Sequence, residues 1–439
     1  MIFPISTPTR DVPQVIQEQE ALGRNFVGSV KDMVRRTATL LFTWGATPSS
    51  NADAFYRLRT SNPKTIFDSK QISDNQPLFW DDAEVSGAST TTTYNANQAS
   101  TTIAVIADTA GKRVRQTRRW FNYQPGKSQF VILTAVMAGN AIKRIGQFND
   151  NNGLFFQHTD TFSVGVRSYA TGEAVTKLVP QSEWNIDKMD GTGNSGMELD
   201  GTKTNIYFID YEWLGVGTVR YGVFNDGVPV YVHAEHNANK LGVVYMSSPN
   251  LPLRYEIEND GDNGASSLTH ICSTIITEGG RDNTGLSRGI SRGATPLVTL
   301  NDASIYPMFL VRLKSAYLGS LVGLIDYNIL CTTTAEYDIH VIINPTIVGT
   351  APSYGSLVNS AIEFATPTNE TTITGGTTMS IHTSSDTNQS IAGASISLNS
   401  ELLIGSSISG TPDVLAIGVR RLTGTTETFY GSANFNETN

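Results

Sequence analysis

Residues 205–215, NIYFIDYEWLG, hold the densest set of groups that could do chemistry. On a strand, alternate side chains share a face, so Phe208, Asp210 and Glu212 point one way while Ile209, Tyr211 and Trp213 point the other. Two carboxylates on one face could act on a glycosidic bond. Neighbours on one strand face approach a sugar from the same side, however, which suits inversion poorly. Asp210 and Glu212 are therefore expected to be structural, paired with Arg220 or Arg254 or accepting turn hydrogen bonds, and no residue is assigned a catalytic role. Trp184, Tyr211, Trp213 and Tyr221 are the candidates for glycan contact, because aromatic faces stack on sugar rings; core packing is the plainer use of such residues.

Two other groupings carry metal-binding residue types. In His233-Ala234-Glu235-His236 a strand puts His233 and Glu235 on one face and His236 on the other, so three ligands do not converge. Asp187, Asp190 and Asp200, around GTGNSG, and the turn Asn149 to Asn152 are oxygen-rich in the way calcium sites are, without the spacing of an EF-hand. No metal and no cofactor is assigned. Gly191-x-Gly193-x-x-Gly196 matches a dinucleotide fingerprint by letters alone, since it lies in an acidic loop with no helix after it.

The elements that would position these residues are strands. Lys127 to Met137, Phe162 to Tyr169, Asn205 to Gly215, Thr218 to Asn225, Val228 to His236, Leu253 to Asn259 and Leu268 to Thr277 are rich in β-branched and aromatic residues and are separated by Asn/Asp/Gly turns. Asn225-Asp226-Gly227 between two alternating runs predicts a hairpin closed by a primed turn. A second set follows a Gly/Ser/Arg linker at 281–300: Tyr306 to Lys314, Leu321 to Cys331, Tyr337 to Asn344 and Asp413 to Arg421, with FYGSANF near the end. The Thr/Ser-rich stretch 366–400 reads as strands held by cross-strand Thr pairs, or as disorder. In residues 1–70, Val12 to Leu22 is the one amphipathic helical stretch, and apolar content is too low for a core of its own. The expected organisation is a docking arm at 1–70, a jelly-roll-like β-sandwich at 71–285 and a second β-sandwich at 286–439, an all-β fold with antiparallel sheets.

Composition narrows the function class. A chain of 439 residues with 39% hydrophobic and 16% charged residues has the make-up of folded domains, more than one at this length. Its net charge of −9 argues against a nucleic-acid partner. The one basic cluster is Lys112, Arg113, Arg115, Arg118 and Arg119; it divides between two strand faces, so solvated or interface-pairing roles are expected. Cys272 and Cys331 lack metal-site spacing and sit among apolar or β-branched neighbours, which predicts buried thiols. No apolar run reaches the roughly 18 residues of a membrane span. Pro4, Pro8 and Pro13 interrupt any signal-like start, so synthesis in a cytoplasm is expected, with no membrane association.

Three resemblances add to this. The stretch around Asp210 and Glu212 resembles the Glu-x-Asp-x-Glu strand of laminarinase-type glycoside hydrolases, with Phe208 in place of the nucleophile. The strand, Asn-Asp-Gly, strand unit is similar to hairpins of concanavalin-like jelly rolls. The blocks Arg57 to Asp82, Arg118 to Gln129, Arg144 to Phe156, Trp184 to Gly196, Ile209 to Gly222 and Tyr245 to Asn259 resemble a family of virion-associated structural proteins of tailed phages from aquatic environments, over residues 55 to 280. That last resemblance implies a non-enzymatic structural protein of the virion, a head decoration, head fibre or tail/baseplate component, made in the host cytoplasm. Its partners would be other virion proteins and further copies of itself. The alternative is a receptor protein on the virion surface that binds a host glycan.

Overall fold

The computed structural model describes residues 62–438 except 88, 281–284, 299, 301, 333–334, 386–389, 394–403 and 425–427. The helical stretch Val12 to Leu22, and the rest of the arm to residue 61, lie outside the described residues. Among the described residues the regular structure is antiparallel strand, apart from three single-turn 3-10 helices. Dense β-branched and aromatic runs broken by turn residues fold this way because each strand can bury one side-chain face and pair its backbone laterally.

The first sandwich is built from β1 (Pro63–Lys70), β2 (Trp80–Gly87), β3 (Thr90–Asn95), β4 (Ser100–Val105), β5 (Gly111–Thr117), β6 (Gln129–Ala138), β7 (Ile142–Phe148), β8 (Gly153–His158), β9 (Phe162–Ser168), β10 (Val175–Pro180), β11 (Asn205–Tyr211), β12 (Thr218–Asn225), β13 (Val228–His236), β14 (Leu253–Asn259) and β15 (Ser266–Glu278). One sheet has the order β13-β12-β11-β6-β15-β4-β3, with β1 beside β15; the other has the order β10-β9-β8-β7-β14-β5-β2. The sheets face each other across a core where Tyr207 meets Phe156 with ring centroids 5.1 Å apart. The Tyr221 hydroxyl reaches across to the Gly165 carbonyl at 2.8 Å. At the β12–β13 turn, Asp226 and Gly227 have φ of 49° and 79°, the pair of left-handed residues that a type I′ hairpin demands.

Several expectations change. Residues 63–70 belong to the sandwich rather than to the arm: β1 pairs with β15 from Pro63 opposite Glu278 to Lys70 opposite Cys272. The stretch read as a linker at 281–300 contains strand Leu286–Ser291, paired with Thr428–Thr438 in the second sandwich. Cys331 is buried but Cys272 is exposed, because a bulge between His270 and Cys272 breaks the alternation of β15. Arg115 is neither solvated nor at a surface. It lies fully buried between the sheets, with Asp82 as its ion partner, its Nε 3.1 Å from His270 and its guanidinium 5.1 Å from the centre of the Trp80 ring.

The second sandwich packs a sheet around Leu321–Cys331 and Thr428–Thr438 against one around Ile305–Leu313, Glu336–Ile343 and Leu415–Thr423. A continuous apolar cluster fills it, with Phe309, Tyr327, Tyr337, Phe429 and Phe435 among its largest members. The Thr/Ser-rich stretch contributes Thr371–Thr374, Thr377–Ser385 and Ser390–Gly393 as strands. The two sandwiches meet at Arg118, which lies 3.4 Å from Asp81 and 3.3 Å from Asp413. The backbone N–H of Ile408 donates to Asp81 at 2.8 Å, and that of Ser406 to the Arg118 carbonyl at 2.9 Å.

Candidate functional site

β11 supplies the carboxylate that chemistry would start from. Asp210 is buried on the face opposite the core, where Arg220, its direct partner across the β11–β12 ladder, holds it in an ion pair. The Tyr231 hydroxyl donates a second bond at 3.0 Å, and the Arg220 guanidinium stacks 4.7 Å above the Tyr231 ring. Phe208 sits beside it among Phe130, Phe224 and Tyr231, so the position a nucleophile would occupy is aromatic packing. Asp210 thus pairs with Arg220, one of the partners the sequence offers for it.

Glu212 lies just past the end of the strand. The strand stops at Tyr211 rather than continuing to Gly215, because Leu214 and Gly215 take left-handed φ values of 36° and 76° and the chain turns back, Gly217 donating to the Trp213 carbonyl at 2.7 Å. Glu212 itself continues the β11–β12 register one step past the strand, its N–H donating to the Thr218 carbonyl at 3.0 Å.

The four candidate glycan-contact aromatics mostly face inward. Tyr211 and Tyr221 are fully buried, and Trp184 nearly so. Their polar tips are taken: Tyr211 bonds Gln129 at 2.7 Å, Tyr221 bonds the Gly165 carbonyl, and Trp184 donates to the Val179 carbonyl at 3.2 Å. Buried rings offer no face to a ligand, so these three are core residues. Trp213 keeps part of its ring at the surface and donates to the Met246 carbonyl at 3.0 Å.

The oxygen-rich turns are likewise committed. Asp187 accepts from the N–H groups of Met189 and Ser195, Asp190 from Thr192 and Asp200 from Thr202. His233 lies 3.2 Å from Glu235, and Lys177 holds the same carboxylate at 2.7 Å. The His233 bond, together with Lys177, draws Glu235 down to about 2 against the effect of its partial burial.

On the outer face of the second sheet a fully buried carboxylate, Glu256 of β14, is ringed by cations. Arg144 lies 2.6 Å away, Lys112 3.2 Å and Arg254 3.2 Å. Burial alone would raise its pKa, but Lys112, Arg144, Arg254 and Arg167 outweigh that and hold it at about 2. A group so firmly ionised cannot serve as a general acid near neutral pH. Arg254 continues the network to Asp150 at 2.6 Å, and Arg167 lies over the rings of Phe148 and Phe155 at 5.6 and 5.4 Å.

Beside this face the chain forms a cleft that sequence reasoning did not find. Its volume is about 440 Å³. Trp120, the Asn149–Asn152 turn, Ser248 and Asn250 come from the first sandwich, and Ser315 to Ser320 from the second. A larger cavity of about 590 Å³ lies elsewhere, lined by His158, Asp160, Glu198 and Asp200 among others. Burial and the nearby Lys143 charge push the His158 ring down to about 4.

No protein-family model matches the chain, and no curated protein matches it significantly. Among solved structures, similarity is found to a legume lectin-like domain from Entamoeba histolytica, at 8% identity and a TM-score of 0.32 over 48% of this chain and 96% of that one. The CBM2 module of the evolved Dit of Lactobacillus casei BL23 phage J-1 gives 8% and 0.32 over 49% and 96%. A glycosyl hydrolase family 16 protein from Mycobacterium smegmatis gives 11% and 0.31 over 48% and 100%. At these values the chain's own residues must carry any statement of function.

Proposed function

We propose that this chain is a non-enzymatic structural protein of a virus particle, which assembles with copies of itself and with other virion proteins. The observation that carries the non-enzymatic part is the fate of Asp210: neutralised by Arg220, bonded by Tyr231 and flanked by Phe208. A paired carboxylate held in this way supports a structural role, since hydrolysis needs two carboxyl groups free to exchange protons or bond to carbon. The virion assignment is supported by the wording of residues 55–280. Gold-labelled antibody against the chain should decorate purified particles, and purified protein should release no reducing sugar from mixed β-glucans. Undecorated particles would overturn the first part; sugar release that disappears in Asp210→Asn would overturn the second.

A second reading, that the chain is a receptor for host-surface glycan, is favoured by the cleft at Trp120. Aromatic rings and neutral side-chain amides converging on a concave surface are the materials from which sugar sites are made.

A further inference from the structure

The cleft has a feature that sets its ligand class. Its lining residues are Trp120, Asn149, Asn151, Asn152, Ser248, Asn250 and the segment Ser315 to Ser320, with no charged side chain among them. The charges nearest in sequence are already committed. Asp150 is bound by Arg254, and the Lys314 ammonium donates to the carbonyls of Leu357 and Ser360, both at 2.7 Å.

Three of the asparagines have their orientation fixed by the protein. Asn149 Oδ1 accepts from the N–H groups of Asn151 and Asn152 at 2.8 and 2.7 Å. Asn152 Oδ1 accepts from the N–H groups of Tyr169 and Ser247 at 3.1 and 2.9 Å. Asn250 Oδ1 accepts from the Tyr123 N–H at 3.0 Å. With every carboxamide oxygen occupied, the group each residue has to spare is its Nδ2, which makes no hydrogen bond among the described residues. These asparagines therefore line the cleft with amide donors the protein does not use.

Aromatic surface accompanies them from both sandwiches. Gly319 packs against the Trp120 ring so closely that a Cβ there would lie 2.9 Å from ring carbon Cε3. The indole Nε1 is buried and makes no hydrogen bond among the described residues. Tyr317 is 43% exposed, and the committed Lys314 ammonium lies 5.8 Å from the centre of its ring.

We infer that this cleft binds a neutral oligosaccharide, whose hydroxyl and ring oxygens accept from the asparagine amides while its apolar ring faces lie against Trp120 and Tyr317. The volume falls within the roughly 300–1,000 Å³ of small-ligand clefts. A sugar bearing carboxylate, sulfate or phosphate would bring a charge into a lining with no counter-ion, so uncharged saccharides are preferred. This rests on the glycan-receptor reading and gives it a place and a ligand class.

The test uses the full chain on an array of neutral and anionic oligosaccharides, followed by calorimetric titration of the best ligand with cellotriose, maltotriose and chitotriose as reference probes. Asn250→Asp keeps an oxygen for the Tyr123 N–H but removes the donor, and Tyr317→Ala removes an exposed ring. Each should weaken binding of a neutral oligosaccharide at least tenfold with the melting temperature unchanged, and ligand should alter tryptophan fluorescence. Undiminished binding by both variants would overturn the cleft assignment while leaving the receptor reading in place. Preference for anionic sugars would overturn the neutral class. Absence of binding to every glycan by the parent chain would remove both the receptor reading and this inference.

Discussion

Each sandwich buries a glutamate almost completely, Glu256 in the first and Glu437 in the second, and the two are satisfied by different means. Glu256 is met by three cations within 3.2 Å. Glu437 accepts from the Ser360 hydroxyl and, at 3.1 Å, from the Ala361 N–H, with Arg288 more distant at 3.7 Å. Charge is buried in both: the first sandwich encloses Arg115 with Asp82, and the second buries Arg292, which donates to the Met308 and Pro367 carbonyls, and Asp338 beside Arg420. A buried ion pair gains little over apolar packing, yet removing one partner leaves uncompensated charge out of water. The Glu256 site should therefore be more sensitive to loss of charge than the Glu437 site.

Replacing Glu256 by Gln should have the largest effect, about 3–5 kcal/mol of stability, since Lys112, Arg144 and Arg254 would lose the carboxylate they share, leaving Arg144 only Glu258 and Arg254 only Asp150 as carboxylate partners among the described residues. The loss should depend on pH. The folded pKa of about 2 lies below the ordinary 4.5, so the stabilisation is fully present above about pH 4.5 and is lost as pH falls towards 2. Urea unfolding of parent and variant at pH 7 and pH 3 should show the gap narrowing in acid. A gap that stays constant would mean that Glu256 acts through shape and not through charge.

Glu437→Gln should cost less, about 1–3 kcal/mol. An amide can still accept from Ser360 or Ala361, and what is lost is the difference between charged and neutral acceptors. A loss as large as that for Glu256 would show Arg288 to be a full ionic partner and would erase the distinction between the two sites.

How far these features could be read in advance differs in the same way. Thr218 to His236 was fully legible, because its apolar alternation and its Asn-Asp-Gly turn both describe a hairpin. β2, β3 and β5 were not: WDDAEVSG, TTTTYN and GKRVRQT hold too few apolar residues to show a period, and they become strands because Arg113 and Arg115 find Thr92, Asp82 and His270 on neighbouring segments. The aromatics chosen for glycan contact show a related limit. Alternation puts Tyr211 and Tyr221 on a face, but it does not say which face meets water. The cleft was illegible for a stronger reason, since Trp120, Asn149, Asn250 and Tyr317 lie on four separate segments that only the folded chain brings together.

The smallest effect expected is at Lys177, and it separates a shifted pKa from a stability contribution. Glu235, like Glu256, is drawn down to about 2, chiefly by its bond to His233 and then by Lys177. The environments differ: the Lys177 side chain is 63% exposed and that of Glu235 19%, whereas the Glu256 side chain is wholly enclosed. Water and salt screen an exposed ammonium, and ordering its long chain costs entropy, so such pairs contribute about 0.2–1 kcal/mol. Lys177→Met should therefore destabilise by well under 1 kcal/mol at pH 7, and the difference should shrink further in 1 M salt. The Glu256→Gln penalty should resist the same salt, because its partners are shielded from solvent. If both penalties fall together as salt rises, Glu256 is being reached by water and ions, and the contrast between enclosed and exposed charge in the first sandwich does not hold.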